Sequence, residues 1–435
     1  MSKKSLPIVS VTLEKIVGGG QALGTLEDGR KVFVWGGLPD EEVRVQLTKK
    51  KSSYAEGFVV EVVTASPDRI TPKDPESYLS TSPWQIMSME TENRYKAALI
   101  EEAFELHDIV LPQPITVYTD GREYHYRNKV EFSWYGTRNK EGEQDSLSLA
   151  FFRRGSKGKI IIENSALLSE PIIKLAHEIR DFLQAKGVEA RQLKTLLIRS
   201  SATGECAWQL YIKDDELPFM SEAEAEQFTA VGGEVMYSNP KSPASVITRR
   251  ILSVGTTTLT DTVLGVPFRY ATEGFFQVNI PVYERALTDM REWVVEGKET
   301  LDLYSGVGSI GLTIGGDKTT LVELNEHAVR EMQQNIAELG KEATAVLAAS
   351  ENALEYITTD KTIIVDPPRA GLHEAVIVRL LEQKPARIIY LSCNPVTQAR
   401  DVARLTEEYG IKAHIGYNFF PHTPHIEHLV VLDLY

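Results

Sequence analysis

The sequence predicts a multidomain α/β protein: an amino-terminal OB-like β-barrel, a central, mostly β domain, and a C-terminal doubly wound domain with a largely parallel sheet. Three observations carry this. Short β-rich runs separated by glycine turns fill residues 8–65, strand-like runs predominate from 118 to about 271, and strands alternate regularly with helices from 274 onward. A chain of 435 residues exceeds one ordinary domain and fits two or three. The boundaries expected are 1–66, 67–270 and 271–435.

The first segment has runs at 9–16, 22–26, 31–35, 42–47 and 57–63, with Gly18–Gly19–Gly20 and Asp28–Gly29 as turns. This is the pattern of a small barrel. Ser66–Pro67, Thr71–Pro72 and Asp74–Pro75 form a linker. Residues 91–108 have helical spacing, and 91–117 is able to pack on the C-terminal domain. In the central part, 130–135, 147–152, 159–162, 195–200 and 208–212 read as strands and 171–186 as a helix. Beyond 274, the segments 300–304, 309–314, 319–323, 326–339, 343–348, 362–366, 374–383 and 387–391 alternate strand with helix. The ending departs from this. Segments 412–419 and 428–434 are strands with no helix between them, so an antiparallel pair is expected at the sheet edge.

Composition narrows the function. A formal charge of −14 argues against a protein that coats nucleic acid indiscriminately. The charge is uneven, however: residues 1–66 carry nine Lys/Arg against eight Asp/Glu, and 271–435 carry fourteen against twenty-four. A polyanion should meet the front of the chain, with Lys49–Lys50–Lys51 and the run Arg153–Arg154–Gly155–Ser156–Lys157–Gly158–Lys159 as phosphate contacts. Two cysteines, neither in a Cys-x-x-Cys pair, exclude a disulfide framework and a zinc ribbon. No stretch approaches the ~20 apolar residues of a membrane span. A soluble, cytoplasmic protein with no membrane partner is expected.

Four motifs carry chemistry. Leu303–Tyr304–Ser305–Gly306–Val307–Gly308–Ser309–Ile310–Gly311 is a strand end followed by Gly-x-Gly-x-x-Gly at a helix start, and Glu323 closes the next strand. That layout makes the C-terminal domain Rossmann-like: glycines let a nucleoside cofactor approach the backbone, and an acid about 20 residues on holds ribose hydroxyls. Nicotinamide and S-adenosylmethionine (SAM) sites share it. Val365–Asp366–Pro367–Pro368–Arg369 ends another strand with an acid at the ligand-binding crevice. Leu391–Ser392–Cys393–Asn394–Pro395 places a cysteine on a strand-to-helix turn, where a thiol is positioned as a nucleophile. Finally, Thr423–Pro424–His425–Ile426–Glu427–His428 supplies a carboxylate before the last strand. Its histidines lack further ligands at metal spacing, so Glu427 reads as a general base and no metal is expected.

Together these motifs resemble the RNA uracil-5-methyltransferase family, whose members methylate carbon 5 of uridines in tRNA and rRNA. Residues 1–66 look like the family's TRAM barrel. The stretch His125–Tyr126–Arg127–Asn128–Lys129–Val130–Glu131–Phe132 is similar to its central domain, and 274–435 carries its methyltransferase motifs in order. The resemblance implies that Gln277, Tyr304, Gly306, Gly308, Glu323 and Asp366 contact SAM, that Cys393 is the nucleophile, and that Glu427 is the base. The uracil edge itself calls for a polar partner, a part open to Asp366 or Arg127. Elementary chemistry agrees: uracil C5 is a poor nucleophile until a thiolate adds at C6, and a base must later remove the C5 proton. The target base must also leave any stacked helix.

Two departures matter. Many relatives carry four cysteines for an iron–sulfur cluster, but residues 73–85 and 163–168 contain none, so no cluster is expected. Ser305 and Ser309 stand where relatives often have Cys and Asn. RNA is the expected partner, rRNA favoured over tRNA because of the barrel, and no DNA. The rivals are a nicotinamide-dependent oxidoreductase, which leaves Cys393 and Glu427 idle, and a non-catalytic RNA-binding protein, against which intact Cys393, Asp366 and Glu427 argue.

Overall fold

A computed structural model describes residues 6–137, 146–156, 158–214, 219–243, 245–316 and 318–435. Lys157 of the basic run lies outside them. The chain divides into two compact units, one of Met1–Glu123, Arg153–Gly158 and Asp366–Tyr435, the other of Tyr124–Phe152 and Lys159–Val365. These units do not follow three consecutive segments, because packing gathers stretches that are distant in sequence.

The first unit opens with a closed barrel of strands Ile8–Ile16, Ala22–Thr25, Lys31–Trp35, Tyr54–Thr64 and Glu42–Lys50, in that order around the barrel. Alternation decides the inside: Val11 and Leu13, Val32 and Val34, and Val43, Val45 and Leu47 are buried while their neighbours face out. Helix Met89–Glu105 follows, started by Ser88, whose Oγ accepts the Thr91 N–H at 3.2 Å. Its buried residues include Ile100, Ala103 and Phe104. It packs on helix Pro395–Leu405, and the Phe104 ring meets His428 edge-on at 5.4 Å.

Four strands complete this unit in the order Arg387–Ser392, Glu427–Leu434, Tyr409–Tyr417 and Val117–Tyr118. The first three are antiparallel neighbours. The hairpin expected at the sheet edge is not the edge: Val117–Tyr118 pairs in parallel outside it. The Gly416 and Asn418 N–H groups, which an edge would leave open, donate to Thr116 O and Tyr118 O at 2.8 Å each.

The second unit holds a seven-stranded sheet, ordered Arg249–Gly255, Gly232–Tyr237, Cys206–Ile212, Leu193–Ser200, Lys129–Thr137, Ser146–Phe152 and Lys159–Ile161. Helix Glu170–Ala185 lays Ile172, Leu175, Ala176, Ile179 and Leu183 into its core, the i, i+3, i+4, i+7 spacing of a one-faced helix. Beside it lie a hairpin, Thr258–Val263 with Val266–Ala271, and four parallel strands ordered Ala343–Leu347, Thr319–Glu323, Glu299–Leu303 and Lys361–Val365. The first of these in the chain, Glu299–Leu303, has later strands on both sides. Its carboxyl end is therefore a topological switch point, where such sheets bind ligands. Among the described residues, no helix is long and apolar enough to cross a membrane.

Candidate active site

The glycine loop grows from the switch point. Tyr304 leaves strand Glu299–Leu303 with φ 65°, a left-handed conformation that costs a non-glycine residue free energy and clusters at functional sites. Gly308, the N-cap of helix Ser309–Ile314, has φ 87°, and a Cβ on Gly311 would lie 2.5 Å from Leu321 Cδ2. One glycine is thus needed for its backbone angle and the other for helix–strand contact. Ser305 Oγ ties the loop down by donating to Asp302 O at 2.6 Å. Glu323 is set beside it: one carboxylate oxygen accepts the Gly306 N–H at 2.9 Å and the other the Asn325 N–H at 2.7 Å.

The segment Gly274–Phe275–Phe276–Gln277 leads into helix Ile280–Arg291. Gln277 and Phe276 are buried, and Phe276 stacks on Tyr270 with centroids 4.3 Å apart. Phe275 is 71% exposed. Arg127 is half-buried in the same unit, its backbone N–H on Leu167 O at 2.9 Å. His125, two residues earlier, has φ 56°.

The first unit places Cys393 on a strand-to-helix turn. Strand Arg387–Ser392 is buried and ends at a turn in which the Asn394 N–H donates to Ser392 Oγ at 3.2 Å. Asn394 then caps helix Pro395–Leu405, and its Nδ2 donates to Arg369 O at 2.8 Å. Thr397 Oγ1 donates to the same carbonyl at 3.2 Å. The Asp366–Pro367–Pro368–Arg369 loop is thereby docked on the cysteine turn.

Register supplies the rest. Strands Arg387–Ser392 and Glu427–Leu434 pair from Arg387↔Asp433 to Ser392↔His428, so one step further Cys393 comes level with Glu427. Arg369 Nη2 lies 3.1 Å from His425 Nδ1. Burial raises the Cys393 thiol to about 12, Glu427 and Asp366 add to this, and Arg369 opposes it. Glu427 is 5% exposed; burial first and the Asp366 charge second push its carboxyl well above the usual range, against Arg369. Asp366 keeps some residue surface, but its carboxyl is enclosed, and burial raises it to about 7. Burial thus favours the neutral thiol and raises both carboxyls, and Asp366, at about 7, is shared between its charged and neutral forms near neutrality.

The Asp366 shift has a consequence for stability. Its folded value exceeds the unfolded one of ~3.9, so the folded state holds the proton more tightly and stability falls as pH rises from there through about 7. Asp366→Asn should raise the melting temperature at pH 8 by ~3 °C or more and have little effect at pH 4. An equal effect at both values in a thermal melt would remove the buried-charge explanation.

Residues 257–434 match the family model described as tRNA (Uracil-5-)-methyltransferase, and residues 8–60 match the TRAM domain. The chain is an RNA methyltransferase. Its similar proteins include an uncharacterized RNA methyltransferase of Caldanaerobacter subterraneus, 28% identical over 98% of each chain. Another, from Fusobacterium nucleatum, is 25% identical over 97% of this chain and 94% of its own. A crystal structure of Pyrococcus abyssi tRNA (uracil-54, C5)-methyltransferase in complex with S-adenosyl-L-homocysteine shares the fold, with a TM-score of 0.77, 21% identity, and coverage of 98% of this chain and 100% of that one.

Within the methyltransferase, the three C-terminal histidines do not converge. His422 meets Glu123 at 3.2 Å, His425 meets Arg369, and His428 Nδ1 lies 2.7 Å from Gln398 Oε1. Among the described residues no group of three or more His, Cys, Asp or Glu is placed to hold a metal ion. In the basic run, Arg154 is committed within the first unit: its Nε donates to Leu79 O at 2.7 Å and its guanidinium lies 4.2 Å from the ring centre of Trp35 in the barrel. Lys50 and Lys51 remain exposed. The sequence motifs single out neither Phe275, which is exposed beside Gln277, nor Arg369, whose carbonyl anchors the cysteine turn. The signal for the first was an aromatic pair of which a helix start needs only one member.

Proposed function

We propose that this methyltransferase transfers a methyl group from SAM to carbon 5 of a specific uridine in RNA through a covalent Cys393–C6 adduct. The observation that carries the reading is the strand register, which ends at Ser392↔His428 one step short of Cys393 and Glu427, together with the Glu427 charge felt at the Cys393 thiol. SAM fits the residues present. Gly306 has open space where a side chain would stand, and Glu323 waits at the strand end as an acceptor for ribose hydroxyls. Within the second unit, Gln277, Tyr304, Gly306, Gly308 and Glu323 would hold it, and bound there it supplies an electrophilic methyl group.

The chain's own groups do the rest. As Cys393 adds at C6, its proton passes to the Asp366 carboxylate, and the protonated Glu427 carboxyl gives its proton to uracil O4, where charge develops. Methylation of C5 returns O4 to a carbonyl and releases that proton to water. The Glu427 carboxylate then takes the C5 proton, the C6–S bond breaks with its electrons on sulfur, and Asp366 returns the proton to the thiolate. One proton is released per methyl transferred. Arg127 is the uracil or backbone contact, and the exposed Phe275 ring offers a surface on which an unstacked base can rest.

Residues 1–66 and 67–270 serve RNA binding in this reading, and 271–435 serves catalysis. The barrel favours rRNA over tRNA, and DNA is not a substrate. The protein acts in the cytoplasm, where free Cys206 and Cys393 stay reduced. Comparing 5-methyluridine maps of rRNA and tRNA from cells with and without the protein should show one rRNA position lost. Loss of no 5-methyluridine anywhere would refute the activity, and loss in tRNA alone would refute the rRNA preference. We further propose that no iron–sulfur cluster is present, since residues 73–85 lack cysteine and are organised by Gln85 Nε2, which donates to Asp74 Oδ2 at 2.9 Å and Ser82 Oγ at 2.6 Å. Stoichiometric iron in protein prepared without oxygen would contradict this.

A further inference from the structure

The segment that carries Gln277 is fastened to the seven-stranded sheet by residues to which neither motif nor relative assigns a role. Lys129 opens strand Lys129–Thr137, and its Nζ donates to Glu273 O at 2.6 Å and Gly274 O at 3.2 Å. Asn128 Nδ2 donates to the carbonyl of Gln277 itself at 3.2 Å. Opposite Lys129 in the antiparallel register stands Arg199, which is 1% exposed. Its Nε and Nη1 have no hydrogen-bond partner, and its guanidinium lies 5.0 Å from the centre of the Tyr270 ring, the ring on which Phe276 stacks.

This arrangement is expensive for a sheet. Like charges directly opposite one another destabilise strand pairs, and buried ions lose hydration. Burial first and Arg199 second bring Lys129 down to about 8. Apolar side chains would fill both positions at less cost, but they could not reach the carbonyls of a neighbouring loop. The two cations act at both ends of one segment: Lys129 holds residues 273 and 274, and Arg199 backs the ring stack beneath Phe276.

We propose that Asn128 and Lys129 are positioning residues that hold the Gly274–Phe275–Phe276–Gln277 segment in its binding conformation, so that affinity for the methyl donor depends on them although they need not touch it. The inference rests on the proposed role of Gln277. Because Arg127 precedes them directly, the same strut links the proposed RNA contact to the cofactor loop.

The test uses the full chain and S-adenosylhomocysteine as probe, titrated by calorimetry into the unmodified protein, Gln277→Ala, Lys129→Met, Lys129→Arg and Asn128→Ala. Lys129→Met should weaken binding by about tenfold or more, the effect of losing a charge-assisted hydrogen bond, and Lys129→Arg should restore most of it. Hydrogen exchange should quicken at residues 274–279 in Lys129→Met while strand 130–137 stays protected. Asn128→Ala, which keeps the cation, should show the same pattern more weakly and stands in if Lys129→Met does not fold. Unchanged affinity in the Lys129 or Asn128 variants beside weakened Gln277→Ala overturns the strut. Unchanged affinity in Gln277→Ala overturns the reading of that residue, and the strut with it.

Discussion

Cys393→Ala should abolish methylation while leaving affinity for S-adenosylhomocysteine within about threefold of the unmodified protein. In the proposed route the thiol attacks the base, and interactions used only in the chemical step are lost from kcat rather than from ligand affinity. Cys206 is the internal control. Both thiols are raised to about 12 by burial, but Cys206 lies in the core of the seven-stranded sheet, where its Sγ donates to Gly204 O at 3.7 Å. Its replacement by alanine should cost stability only. The two thiols are thus alike in acidity and unlike in company, and in the proposed route the company is what lets Cys393 attack once a base takes its proton. Substantial turnover by Cys393→Ala would refute the covalent route. A large loss of ligand affinity would mean that the side chain supports the cofactor loop instead.

Glu427→Gln should stall the reaction after methyl transfer. The amide keeps the shape and an N–H for uracil O4, but it cannot accept the C5 proton, and loss of a general base typically costs ~10²–10⁴ in rate. The C5-methylated RNA should remain joined to Cys393. A denaturing gel should then show a retarded protein–RNA band that carries label from methyl-labelled SAM. Release of 5-methyluridine at the unmodified rate would remove Glu427 as the base. RNA binding with no labelled adduct would place its contribution before methyl transfer, in the proton donation to O4.

How much of this was legible in the sequence depends on the range of the physics involved. Gly308 needs a left-handed φ, Gly311 cannot carry a Cβ against Leu321, and Asn394–Pro395 stops a strand and starts a helix. These are constraints among near neighbours, so the glycine loop, the cysteine turn and the strand–helix alternation around them could be read directly. The barrel was legible for the same reason, since alternation of Val and Leu with polar residues depends on pleat alone. The proximity of Cys393 and Glu427 was not. It follows from the pairing of Ser392 with His428, and a slip of one residue would have turned each side chain to the other face. The partners of the three C-terminal histidines, the strand Val117–Tyr118 outside the last hairpin, and the commitment of Arg154 to Trp35 likewise depend on long-range contacts. Lys129 is the extreme case. Its partner carbonyl at Gly274 lies 145 residues away, and a lysine at a strand start ordinarily reads as a solvated charge. Local sequence determined which groups exist and on what turns they stand; burial and strand register, which sum over the whole chain, decided which of them meet and which keep their protons.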